Sequence, residues 1–390
     1  MKKADFIQTL TILTLVSLGY FSTDIYLPSL PALETYFGTS EVASQMTLFT
    51  YLISFSLTPL IFGPLSDRIG RRKVILIGVI ISLAATIGCY SSGSIYQLMG
   101  FRFLQGFGTG AVLIATRAML ADLFTGKDLA RQINYITMIL PLVLSFAPII
   151  GGYLQEGFGW RSVFLFLVCY NILVLLKGCF LNESVKMKSE LSLKNVLEKY
   201  LELFRHKSFL LFGMGLFLPT IGMFSYLTAS PFIFQDVIGL SPSEYGRLAF
   251  FIGLVIMFTS FLNSKLLHYY SINTLIRLGS ILMICAGILL LTFHMVGILN
   301  TWSYLIPTLI YFSCMPFSNS NSVSKAMSQI DHHFGSANAL LSTFQFLAGA
   351  MASLIFSLIP QVNAFPLAIC YLATGVLAFI SLHIAHEYEH

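Results

Sequence analysis

Apolar stretches of about twenty residues recur along the whole chain, each closed by a short polar or charged turn. They cover about 6–28, 41–62, 74–92, 95–118, a fifth ending near 154, then 162–182, 208–231, 243–263, 273–294, 301–323, 335–359 and 365–385. A helix of about 20 apolar residues crosses a bilayer. The pattern therefore predicts an all-α integral membrane protein with twelve transmembrane helices. The first stretch has no small-residue cleavage site and runs into Pro28 and Pro31, so it reads as a retained span and not as a signal peptide.

One segment breaks the rhythm. Glu183, Lys186, Lys188, Glu190, Lys194, Glu198, Lys199, Glu202, Arg205 and Lys207 crowd together, while Val196, Leu197, Tyr200, Leu201 and Phe204 recur at helical spacing. That combination predicts an amphipathic helix at the inner membrane surface. It divides the chain into a six-helix bundle over 1–182, a cytoplasmic linker over 183–207 and a second six-helix bundle over 208–390. The halves echo each other: a Ser-and-Glu turn precedes the second span of each, at Ser40-Glu41 and at Ser241 to Glu244. Two pseudo-symmetric bundles of this kind hold their ligand site between the halves.

Charge sets the orientation. Gly63-Pro64-Leu65-Ser66-Asp67-Arg68-Ile69-Gly70-Arg71-Arg72-Lys73 reads as a basic hairpin between two apolar runs, and Lys and Arg gather on the cytoplasmic side. Counting from it, nearly every basic residue faces the cytoplasm, Arg161 and Arg247 being the outer exceptions. Both termini are then cytoplasmic. Only 10% of the residues are charged and 56% are hydrophobic, against roughly 25% charged in soluble domains. The net charge of +5 lies in scattered loops and makes no nucleic-acid surface.

Six single cysteines lack the paired spacing that metals or disulfides need, and they read as small packing residues. His294, His383 and His386 lie at span ends, no HExxH occurs, and no metal or cofactor is expected. A receptor or an intramembrane enzyme would need a soluble sensory domain or a nucleophile with its base, and neither is found.

Two charges lie deep in spans: Asp24 in the first and Arg102 in the fourth. Each costs roughly 2.5–3.5 kcal/mol at the bilayer centre on insertion scales, so pairing them is the expected arrangement. Asp24 is then a candidate proton site governed by Arg102, with a static ion pair as the alternative. Tyr20, Tyr26, Gln105, Asn134, Tyr226, Asn319, Asn321 and Gln345 are candidate substrate contacts lining a central cavity; hydrogen bonding between helices is the alternative for each. Pro148, Gly151 and Gly152 make the fifth span a candidate hinge, since proline bends a helix and small residues let helices approach. In the basic turn, Gly63, Asp67, Arg68, Gly70, Arg71 and Arg72, with Asp122, are candidate gate residues. Asp67 is placed to meet the start of the span near Gly335-Ser336, at the positive end of its dipole.

These motifs resemble the major facilitator superfamily. Gly63 to Lys73 resembles its loop between spans 2 and 3, and Arg102-Phe103-Leu104-Gln105-Gly106-Phe107-Gly108 the span 4 motif of proton-coupled members. Ala147 to Gly152 is similar to its antiporter motif, with Ala147 where most members have glycine. Asp24-Ile25-Tyr26-Leu27-Pro28, Arg117-Ala118 with Asp122, Trp160-Arg161 and Ser230-Pro231-Phe232 resemble the bicyclomycin- and chloramphenicol-resistance (Bcr/CflA) branch.

The resemblance implies drug:proton antiport across a bacterial inner membrane by a monomer, with small molecules, protons and lipid as its only partners. In the similar Mdf-type transporters an acid and an arginine at the positions of Asp24 and Arg102 govern coupling. Their further acid earlier in span 1 is missing from Leu15-Val16-Ser17. The expected cargo is accordingly neutral, zwitterionic or weakly anionic. Export of an endogenous metabolite, such as a carboxylate siderophore, is the alternative.

Overall fold

The computed structural model describes residues 3–124, 126–185, 193–330 and 334–387. Helices α1 (Lys3–Asp24), α2 (Leu30–Phe37), α3 (Glu41–Ile69), α4 (Arg71–Ser91), α5 (Ile95–Leu123), α6 (Gly126–Phe158) and α7 (Trp160–Cys179) fill the first half. After α8 (Leu193–Arg205) come α9 (Lys207–Phe232), α10 (Pro242–Leu266), α11 (Ile272–Met295), α12 (Thr301–Met315), α13 (Asn321–Met327), α14 (Phe334–Ser357) and α15 (Phe365–Glu387).

Eleven stretches among the described residues are long and apolar enough to cross a membrane. The tenth expected span is the exception, because α12 and α13 are separated by a π-helical turn at Pro316–Ser320. Proline removes a backbone donor just where α12 ends, and the wider turn carries the chain on. The first span is also broken. It runs from Thr9 to Phe37, beyond the expected limit near residue 28, through a 3-10 turn at Leu27–Ser29.

The expected hairpin over 63–73 is a single residue. Helix α3 continues through Gly63, Pro64 and Asp67, and the chain turns only at Gly70, whose φ of +105° favours glycine. The next helix starts at Arg71, so the basic side chains belong to helix ends.

The chain divides into two compact units, Met1–Leu191 with Ser241–Ala249, and Ser192–Leu240 with Phe250–His390. The grouping of 241–249 with the first unit departs from the expected continuous second bundle. In the first unit Leu15, Leu18, Phe62, Val74, Ile75, Ala111, Val112 and Met119 form the apolar centre. In the second, Phe209, Phe212, Leu216, Ile276, Leu340 and Leu341 do so, joined by Leu203 of α8. The linker helix is thus seated on its unit by Leu203 and by Phe204, whose ring meets Phe344 edge-on at 5.4 Å. Leu201 is exposed, and the side chains of Val196 and Leu197 lie outside those described.

The cysteine expectation holds only in part. Cys89 and Cys314 are buried packing residues, whereas Cys169, Cys179 and Cys285 face outward; all six are free thiols.

Candidate functional site

The site grows from the break in the first span. Pro28 supplies no backbone N–H for the Asp24 carbonyl and Pro31 none for that of Leu27, and α1 stops at Asp24, so its last carbonyls have no further helical turn to pair with. Ile25 N–H still donates to the Phe21 carbonyl (3.1 Å). The next carbonyl, that of Ser22, accepts from Arg102 Nη1 at 3.0 Å. A cation at the carbonyl end of a helix is favoured by the helix dipole.

Arg102 is completely buried and tightly framed. Its Nη1 also donates to Gln105 Oε1 (2.6 Å), whose amide donates in turn to Thr86 (2.9 Å). The guanidinium carbon lies 4.6 Å from the Tyr26 ring centre and 4.3 Å from that of Tyr51. Tyr26 is fixed by a hydroxyl contact with Thr47 (2.7 Å). Tyr51 donates to the Gly19 carbonyl (2.6 Å) and meets Thr109 (2.8 Å). A Cβ on Gly106 would collide with the Tyr51 backbone, so glycine there lets α5 close on α3.

The expected Asp24–Arg102 ion pair is not formed: among the described residues the arginine is partnered by a helix-end carbonyl, an amide oxygen and two ring faces. Asp24 closes α1, half-buried, one turn beyond the half-buried Tyr20 on the same stripe. It has no hydrogen-bonding or charged partner among the described residues.

Helix α6 approaches the same break. A Cβ on Gly151 would strike the Ile25 carbonyl, and one on Gly152 the Pro242 carbonyl. Gly246, from the 241–249 segment of the same unit, sits against the Pro148 carbonyl, and Glu156 accepts from Ser243 N–H at 3.2 Å. The Pro148–Gly152 motif is therefore a contact surface for two backbones.

At the far end of α3, Arg71 pairs with Asp67 (2.5 Å) and Asp122 (3.0 Å). Arg72 donates to the Cys179 carbonyl at 2.7 Å. Around Gly63 there is open space, and Arg68 closes the last turn of α3 as a cation at its carbonyl end. Sequence reasoning gave Glu183 only to the linker and missed its place here, where it accepts from the Arg71 N–H (2.8 Å) at the start of α4 and crowds Gly70. As the first acid of the charged linker, Glu183 was available as an anion for a helix N-terminus.

Several expected cavity residues are packing residues instead. Tyr26, Gln105, Tyr226 and Asn321 are buried; Tyr226 packs on Phe312 at 5.4 Å, and Asn321 donates to Asn263 at 2.9 Å. Tyr20, Asn319 and Gln345 keep partial exposure, with Asn319 donating to Met315 Sδ and Gln345 to Thr220, both at 3.4 Å. The Asn134 side chain lies outside those described. Named only as part of a motif, and not as a site residue, was Arg117, an exposed arginine of α5 whose Nη2 donates to the Tyr20 hydroxyl at 3.0 Å.

Comparison with known proteins places this architecture. An MFS-type transporter of Bacillus subtilis, YdgK, is 30% identical over 94% of this chain and 93% of its own. A bicyclomycin resistance protein homolog of Haemophilus influenzae is 27% identical over 92% of this chain and 90% of its own. The crystal structure of a D-xylose-proton symporter has the same fold, with a TM-score of 0.74 and 97% of each chain covered, at 17% identity. Residues 12–353 match the family profile described as Major Facilitator Superfamily. The chain belongs to that superfamily: it is a multi-span membrane transporter and not an enzyme.

Proposed function

We propose that this chain exports small amphiphilic compounds across a bacterial inner membrane in exchange for protons, with Asp24 carrying the proton. The observation behind this reading is the state of Asp24: an acid at a helix break inside a span, half-buried and without a counter-ion among the described residues. A carboxyl group spared a permanent partner is free to exchange its proton, whereas one locked to Arg102 would be held ionised. The relative named for bicyclomycin resistance supports drug-like cargo.

In the proposed cycle the outward-facing state meets the more acidic medium, takes up a proton at Asp24 and releases cargo. The inward-facing state loses the proton and rebinds cargo. Gly151, seated on the Ile25 carbonyl next to Asp24, supports a role for α6 in relaying that change, because any shift of the break must move the helix lying on it.

Proteoliposomes with an imposed pH gradient test the reading. Asp24→Asn is expected to reduce gradient-driven chloramphenicol accumulation to the level of empty vesicles while leaving gradient-free exchange intact. Accumulation at the wild-type rate in Asp24→Asn would end the proposal.

A further inference from the structure

Two arginines lie on α5, and only one of them can touch cargo. Arg102 is fully enclosed, so an anionic cargo cannot reach its guanidinium. Arg117 lies about four turns further along the same helix. Its side chain is exposed, yet it stands about 9 Å, at 1.5 Å per residue, short of the helix end at Leu123. That depth is unusual for an arginine serving only as an interfacial anchor, which would sit in the last turn.

Its recorded partner is the neutral hydroxyl of Tyr20 at 3.0 Å. No carboxylate compensates it among the described residues, although Asp122 stands five positions away; that acid is engaged by Arg71 and by Ser184 (2.9 Å). A guanidinium has five N–H donors, and a single one is used here. Tyr20 holds the group by its own oxygen, leaving the tyrosine O–H proton free for a second acceptor. One turn further along α1 is Asp24.

From this juxtaposition we infer that Arg117, steadied by Tyr20, is the anion-recognition residue of the transporter, and that its favoured cargo carries a carboxylate or a comparable planar anion. A guanidinium takes a carboxylate by two parallel hydrogen bonds, a geometry an ammonium lacks. Cargo bound here would also lie on the Tyr20–Asp24 stripe. The inference rests on the export reading for its setting but concerns binding alone.

Equilibrium binding to the purified full-length protein in detergent separates the two. Dansylglycine carries a carboxylate, and dansylglycinamide is its neutral counterpart of nearly equal size. Wild type is expected to bind the acid more tightly, and Arg117→Gln to weaken the acid about tenfold or more while leaving the amide within about twofold. Arg117→Lys should retain an intermediate preference, because charge survives without the fork; Tyr20→Phe should lower it by a smaller factor. Coupling is read from gradient-driven accumulation in vesicles and recognition from this equilibrium ratio without a gradient, so failure of coupling and failure of recognition show in different assays.

Three results would overturn the inference: no preference for the acid in wild type, an unchanged preference in Arg117→Gln, or equal weakening of both ligands. The last would reduce Arg117 to a structural anchor. Should Arg117→Gln fail to fold, an Arg117→Lys ratio equal to wild type would refute it instead.

Discussion

The interiors of the two units solve one problem in different ways. Each has a buried tyrosine whose hydroxyl reaches a main-chain carbonyl of a neighbouring helix: Tyr51 to Gly19 in the first (2.6 Å), Tyr311 to Pro219 in the second (3.3 Å). In the first unit that tyrosine is one wall of a box around Arg102. In the second it stacks on another tyrosine, Tyr371, at 3.8 Å and 15°, and also meets Thr374 at 3.1 Å. One interior was built to hold a charge and the other to hold rings. The difference teaches that a cation can be kept inside an apolar bundle without a carboxylate, provided a helix break and two aromatic faces stand in for one.

The sharpest way to break that comparison is to empty the box. Arg102→Met relieves the roughly 2.5–3.5 kcal/mol cost of a charge at depth. It also removes two desolvated ring contacts worth about 2 kcal/mol each. The Ser22 carbonyl and the Gln105 oxygen are left unpaired, at about 1–3 kcal/mol apiece. The losses outweigh the relief, and a net destabilisation of about 3 kcal/mol or more is expected as a large fall in apparent Tm in detergent. Arg102→Lys should rescue little, since an ammonium cannot lie flat between two rings. A variant as stable as wild type would mean that the box is not what holds the charge.

Next in size is Gly106→Ala. The added methyl meets the Tyr51 main chain and the Ser54 hydroxyl, and backbone cannot swing aside. Overpacking of this kind costs about 1–3 kcal/mol. Gly63→Ala meets open space and, lying inside α3, should be neutral or slightly stabilising, as alanine is the better helix former. Thermal denaturation of the pair tests whether the glycine of the arginine segment and the glycine of the basic turn have separate roles. Equal shifts would undo the distinction.

The periodic features were legible in the sequence. Every span given an expected start, all but the fifth, begins within about three residues of it, because a bilayer-length apolar run in a helix has few alternatives. The two polar anchors, Asp24 and Arg102, stood out for the same reason: charges are costly there. Their pairing was misread because sequence counts charges and does not count backbone acceptors. Pro28 and Pro31 announced that the first span would break, but not that the carbonyl of Ser22, left unpaired where α1 stops, would be the one to take the guanidinium. Tyr26 and Gln105 looked like cavity residues by polarity, and burial alone distinguishes a lining residue from a framing one. Arg117 was visible only as part of a motif, since its depth and its tyrosine partner emerge from the register between α1 and α5. The extension of α3 to Ile69 was hidden by glycine and proline at 63 and 64, which normally mark a turn.

The smallest expected effect sharpens the contrast from the second unit's side. Tyr304 is buried against Phe234 (5.2 Å) and Tyr226 (6.3 Å), and its hydroxyl finds no hydrogen-bond partner among the described residues. Removing that oxygen as Tyr304→Phe keeps both ring contacts and relieves a desolvated polar atom, so stability should hold or rise by up to about 1 kcal/mol. Tyr51→Phe makes the same chemical change in the first unit with the opposite sign. It loses bonds to Gly19 and Thr109, and interhelical hydrogen bonds in membrane proteins average about 0.6 kcal/mol each. Apparent Tm values for the two variants should therefore fall on either side of wild type. If both drop together, the hydroxyl of Tyr304 has a structural partner and the second interior is as polar in its demands as the first; if neither moves, the hydrogen bonds of Tyr51 add nothing and Arg102 is held by ring faces alone.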